Sequence, residues 1–219
     1  MSEGFVFDGI PEKENIIVTI RGEQGMGKTH LANTFPNVSL ADTEFRAAMV
    51  MEKFKNPRRK NVGCYDDLRQ MIAYCVKNME KGTIVIDSGS DLQKLAENEY
   101  LVESEKDKIY PLMLWAKVYE KMDNMIKMLR EYGWNVVFTQ RLKPEYDEDG
   151  KKTGESVAEG YRRIPYFSDV VILLQKGIEH DGQILFPEII IGKIEDNKWH
   201  PKGASKPYLV DLSYDGIFK

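Results

Sequence analysis

Eight residues constrain this chain more than any others: GEQGMGKT at 22–29, with the apolar run NIIVTI before them and HLANTF after. They fit G-x-x-x-x-G-K-T, a loop that folds around phosphate. Gly22, Gly25 and Gly27 free the backbone to turn its N–H groups inward, and the helix that follows presents its positive end to an anion. Lys28 is placed to reach the β and γ phosphates of a nucleotide, and Thr29 to offer its hydroxyl to Mg²⁺. Glu23, Gln24, Met26 and His30 complete the candidate nucleotide-contacting segment. Asn15 to Ile20 reads as a buried strand and Lys28 to Phe35 as a helix stopped at Pro36. A chance match in a glycine-rich turn would lack that strand and helix.

Helical and extended patterns alternate along the chain, then give way to strands. Val38–Ala41, Thr83–Asp87 (TIVID) and Trp134–Thr139 read as strands. Asp66–Glu80, a segment from Ser90 to about Lys106, and one starting at Pro111 read as helices. Asp169–Leu174, Ile184–Ile194 and Tyr208–Leu212 are late strands. This pattern predicts one α/β domain over 15–219, a mostly parallel twisted sheet with helices on both faces and an antiparallel C-terminal extension. Residues 1–14 form a short arm, whose Phe5 and Phe7 pack on its own domain or on a neighbouring subunit. The 219-residue length suits such a core.

Composition narrows the partners. A net charge of −4 gives no global basic field to draw the chain to nucleic acid, so any such contact must be local. With 42% apolar and 30% charged residues the chain is globular rather than disordered. No apolar run reaches membrane-spanning length, no signal peptide opens the chain, and a cytoplasmic location is expected. Cys64 and Cys75 make no metal motif with the three histidines.

The apolar strand TIVIDS ends in Asp87, placed to hold Mg²⁺ together with Thr29. Hydrolysis also needs a group to orient or deprotonate water. A carboxylate at the end of the strand beside the phosphate loop would serve, and LADTEFR brings Asp42 and Glu44 there. Glu44 is the choice; a helix cap or surface acid is the alternative reading of the same residues. The stretch 141–163 lacks helical periodicity and has a hairpin tip at Asp149-Gly150. It carries six basic and six acidic residues, which gives no net attraction to DNA. Tyr146, Tyr161, Arg162 and Arg163 could still stack on bases and meet phosphates locally, and Arg58, Arg59 and Lys60 of KNPRRK could make backbone contacts. A solvated surface explains either group as well.

LADTEFR resembles the strand-acid segment of RecA/RadA-type recombinases, and NVVFTQR is similar to their strand ending in a glutamine that senses the γ-phosphate. Together with the phosphate loop, I-D-S and a tryptophan-bearing helix, the pattern over about residues 15 to 195 resembles small phage RecA-like ATPases of the AAA and single-strand-annealing type. The resemblance implies a RecA-like P-loop NTPase fold, ATP and Mg²⁺ as ligands, and Glu44 as the catalytic glutamate. It further implies Gln140 as the γ-phosphate sensor, 141–163 as a mobile loop for single-stranded DNA, and assembly into a ring or filament with Lys193 and Lys198 acting across the subunit interface. The implied role is phage recombination or annealing. Fourteen residues before the first strand are too few for the N-terminal domain that recombinases usually carry. Three other uses of the loop compete: a small-molecule kinase, a non-hydrolysing nucleotide or DNA-binding module, and a packaging or helicase motor.

Overall fold

A computed structural model describes residues 15–54, 58–107, 111–180, 182–197 and 208–218, with the backbone alone for 102–107, 111–114, 179 and 197. Phe5, Phe7 and Lys198 lie outside the described residues. In chain order the elements are β1 (Ile17–Gly22), α1 (Lys28–Ala32), β2 (Val38–Asp42), α2 (Ala48–Met51), β3 (Arg59–Asn61), α3 (Tyr65–Asn78), β4 (Thr83–Asp87) and α4 (Leu92–Asp107). They continue with α5 (Pro111–Glu131), β5 (Asn135–Tyr146), β6 (Lys152–Ala158), α6 (Ile164–Phe167), β7 (Val170–His180), β8 (Gln183–Asn197), β9 (Tyr208–Leu209) and α7 (Tyr214–Phe218).

Strands lie in the order β3-β2-β4-β5-β1-β7-β8-β9, with β6 paired to β5. The first six of this path run parallel, and β8 and β9 add the antiparallel extension. Strands covered on both faces read as unbroken apolar runs because both alternating sets of side chains are buried. In β4, Ile84 and Ile86 face α3, α4 and α5, while Val85 faces the side of α1 and α2. In β5, Val136 and Phe138 take the first side and Val137 the second. Helices cover both faces, as the alternation of patterns implied.

Two expectations change. The strand carrying Asp42 is not beside β1: β5 and β7 flank β1, so β4 and β5 separate it from β2. The apolar VVF segment at 136–138 requires cover on both faces and both edges, and takes the central place. Residues 141–163 are also not one loose loop. β5 continues to Tyr146 and returns as β6, turning through Asp147–Gly150, where Gly150 N–H bonds to the Asp147 carbonyl at 3.0 Å. Gly160 then lets the chain press on the end of β4: its φ is 84°, and a Cβ there would sit 2.3 Å from the Ser90 carbonyl oxygen.

Phe138 is fully buried at the centre of the sheet. Phe138→Ala is expected to cost about 3–5 kcal/mol in urea unfolding, with an unchanged denaturant slope.

Candidate active site

The parallel strands β1, β4 and β2 release their chains at one end of the sheet, and the phosphate-loop residues gather there. Gly25 and Gly27 adopt φ of 82° and 83°, backbone that side chains rarely tolerate, and a Cβ on either would meet nothing within 4 Å. These glycines are therefore required by conformation rather than by crowding. The Lys28 ammonium lies inside the curl, donating to the carbonyls of Gly22 at 2.9 Å and Glu23 at 2.8 Å. Burial pulls its pKa below the ordinary lysine value, against the attraction of Asp87 and Glu44. His30 is exposed and rests on Phe54, with ring centres 5.2 Å apart.

Asp87 is the buried carboxylate on which the loop closes. The Thr29 hydroxyl donates to its Oδ2 at 2.7 Å, and the Thr139 hydroxyl from β5 donates to its Oδ1. Burial raises the Asp87 pKa above the usual carboxylate range, and these two hydroxyl bonds oppose that rise. Among the described residues no group of three or more His, Cys, Asp or Glu could hold a metal. Thr29 and Asp87 instead offer hard oxygens from two segments, a donor set that fits Mg²⁺, which keeps much of its shell as water and phosphate oxygen.

The acid segments after β2 and β4 are bound to each other. Thr43 N–H donates to the Asp87 carbonyl at 2.7 Å, and Ser88 N–H donates to the Thr43 hydroxyl at 2.7 Å. Asp42 is buried and used internally: it accepts the Ala47 amide at 2.9 Å and pairs with Arg59 at 2.9 Å. Glu44 is left partly exposed at the site, its Oε1 accepting from Arg141 Nη1 at 2.7 Å. Arg141 reaches over from β5, across the end of β4, to meet it. The distance between β2 and β1 is thus closed by side chains rather than by strand pairing.

Gln140 is placed differently from the sequence expectation. β5 alternates, so Thr139 and Arg141 share the α1 face with Asp87, and Gln140 points to the other. It is fully buried, its amide facing the carbonyls of Glu159 and Tyr161 at 3.4 Å each, with Oε1 lacking a hydrogen-bond partner among the described residues. The face of β5 turned toward Asp87 and the phosphate loop therefore carries Thr139 and Arg141, which sequence reasoning missed. A polar β-branched residue inside the run NVVFT was the available signal for Thr139.

Tyr161 is also corrected. It is 1% exposed, stacked on Tyr119 at 5.4 Å, and donates its hydroxyl to Asp123, so its ring cannot stack on a base. Arg163 pairs with Asp123 at 2.7 Å. Arg58 donates to the Val38 carbonyl at 3.2 Å and Arg59 is held by Asp42, while Lys60 is exposed. Arg162 remains exposed, lining a groove of about 780 Å³ with Arg21, Lys143, Tyr146 and Pro165. Lys193 is half-buried on β8, opposite Leu173 and Tyr208.

The sequence pattern of the AAA domain family matches residues 14–185, which takes in the loop, both acid segments and the hairpin. This chain belongs to the AAA domain family. Among solved structures, this AAA domain is similar to a KaiC-like protein of the hyperthermophilic archaeon Pyrococcus horikoshii, at 18% identity with a TM-score of 0.51, covering 87% of this chain and 82% of the other. The RadB recombinase matches at 15% identity and a TM-score of 0.46, over 86% and 84%. No curated protein matches. The fold of the AAA domain is that of RecA-like P-loop NTPases, and family and fold together make it a nucleotide-binding protein of the P-loop class. No helix among the described residues is long and apolar enough to cross a membrane.

Removing the Thr139 hydroxyl leaves a desolvated carboxylate short of a donor. Thr139→Val is expected to cost about 1–3 kcal/mol by chemical denaturation. The same change at exposed Thr153 should stay within about 0.5 kcal/mol.

Proposed function

We propose that this AAA domain binds ATP with Mg²⁺ over residues 22–30, hydrolyses it, and links that cycle to single-stranded DNA. The observation that carries the reading is the convergence of four groups at one end of the sheet: Lys28 and Thr29 from the loop, Asp87 from β4 and Glu44 from beyond β2. Lys28 is half-buried and already surrounded by carbonyl oxygens, so phosphate oxygens can replace those acceptors without exposing its charge. Thr29 and Asp87 would hold Mg²⁺, which when bound neutralises charge on the β and γ oxygens. Glu44 then orients the attacking water and accepts its proton. Thr139 keeps the Asp87 carboxylate aimed at the loop.

The single-strand reading moves from Tyr161 to the groove beside the β5–β6 hairpin. Lys143 and Arg162 outnumber Glu145 on its walls, with Arg21 beside them paired to Glu195, and exposed Tyr146 offers a ring for base stacking. Assembly into a ring or filament, with Lys193 at a subunit boundary, and a role in phage recombination or annealing follow from the same resemblance. A small-molecule kinase is the competing reading, and phosphate transfer to a nucleoside or small alcohol without DNA stimulation would favour it.

Lys28→Ala should abolish ATP binding and turnover. Glu44→Gln should bind ATP within about threefold of wild type while losing roughly 10²–10⁴ in turnover. Turnover by Glu44→Gln at the wild-type rate would remove Glu44 from the mechanism. Adding an oligo-deoxythymidylate should raise wild-type turnover. Lys143→Ala with Arg162→Ala should weaken that oligonucleotide's binding and flatten its salt dependence.

A further inference from the structure

Arg141 has no role in any motif, yet it is the most heavily engaged cation at the site. All three nitrogens of its guanidinium are used. Nη1 bonds to Glu44 Oε1, Nη2 to Asp91 Oδ1 and Nε to Glu159 Oε2, each at 2.7 Å, and Nη1 reaches Asp91 Oδ2 at 3.3 Å. The three carboxylates stand on different segments: past β2, at the head of α4, and past β6. Burial works against this charge, and the bonds to Asp91 and Glu159 outweigh it, so its pKa lies above that of an ordinary arginine.

The geometry leads us to propose that Arg141 couples the phosphate site to the β5–β6 hairpin by holding Glu44 and Glu159 on one rigid fork. The inference rests on the nucleotide reading above. It gives Arg141 the transmitting role that the sequence pattern suggests for Gln140. Its neighbour toward the loop is Lys28, whose charge it opposes through space. A triphosphate gripped by Lys28 brings several negative charges to that side of the guanidinium, in competition with three carboxylates.

A planar group cannot turn toward new negative charge at Nη1 and keep the same bond at Nε. Glu159 must follow, and it stands at the base of the hairpin, where its own N–H donates to the Arg141 carbonyl at 2.8 Å. Asp91 is the fixed member, since it also accepts from Ser88 and Thr43. Arg141 is accordingly a positioning residue, acting on the reaction through Glu44.

Hydrogen exchange on the full chain, with and without AMP-PNP and Mg²⁺, separates the two sites. Amides of 22–29 report nucleotide binding and amides of 142–158 report the hairpin. In wild type, nucleotide should slow exchange in the loop and change exchange in the hairpin. In Arg141→Gln the hairpin response should shrink about fivefold or more while the loop response remains. Arg141→Lys should fail equally, because a single ammonium cannot span three carboxylates. Glu159→Gln, at a half-exposed position outside the phosphate site, should show the same loss and serves if the arginine variants do not fold.

A hairpin response of wild-type size in Glu159→Gln and the arginine variants overturns the proposal, as does a wild-type hairpin that ignores nucleotide while the loop is protected. A wild-type loop that nucleotide leaves unprotected refutes the ATP reading, and the coupling with it.

Discussion

One desolvated carboxylate organises this end of the molecule. Asp87 is nearly buried, and water is replaced around it by two threonine hydroxyls, one from the phosphate loop and one from β5. A buried charge is costly unless it is hydrogen-bonded, so the carboxylate penalises any arrangement in which either hydroxyl moves away. Loop, β4 and β5 are tied to one another by that penalty. The pairing that closes the loop is also the pair of oxygens suited to a divalent cation, so the protein's internal cohesion and its ligand chemistry share the same atoms. A bound cation would relieve the desolvation cost that the hydroxyls only partly offset, which is a thermodynamic reason for the site to favour its ligand.

A second constraint follows from where the strands lie. With β4 and β5 both between β1 and β2, Glu44 lies two strands further from the loop than adjacency would put it. The structure bridges the gap with polar contacts. Thr43 and Ser88 lock the two acid segments together, and Arg141 reaches from β5 to Glu44 over the end of β4. This makes β5 more than a spacer. Its α1-facing positions supply Thr139 to Asp87 and Arg141 to Glu44, one residue for each of the two carboxylates on which the proposed chemistry rests.

The parts of this architecture that were legible in the amino-acid sequence are those that local rules decide. A glycine loop between an apolar strand and a helix can serve few purposes, and TIVID and NVVFT are too apolar to be anything but interior strands. The strand, glycine loop and helix at 17–32 were therefore readable in advance. Strand order was not, because period and composition describe a strand's faces and say nothing about its neighbours. Tyr161 illustrates the same limit: an aromatic beside two arginines suggests a nucleic-acid contact, whereas Asp123, 38 residues earlier, captures both its hydroxyl and Arg163.

Gln140 and Arg141 show how one step along a strand changes function. Successive side chains on β5 point to opposite faces, so one step along the strand exchanges a dry interior for the face of the phosphate loop. The glutamine ends in a dry interior against backbone carbonyls at 3.4 Å, long for hydrogen bonds and leaving its own oxygen unpaired among the described residues. The arginine ends among three carboxylates that belong to the acid segment, the head of α4 and the hairpin. An uncharged amide in the first setting has little to gain from a distant phosphate. A guanidinium in the second has its hydrogen bonds rebalanced by any new charge nearby. For that reason the electrostatic connection between the nucleotide end and the hairpin runs through Arg141, and the buried glutamine serves to pack the segment on which Glu159 stands.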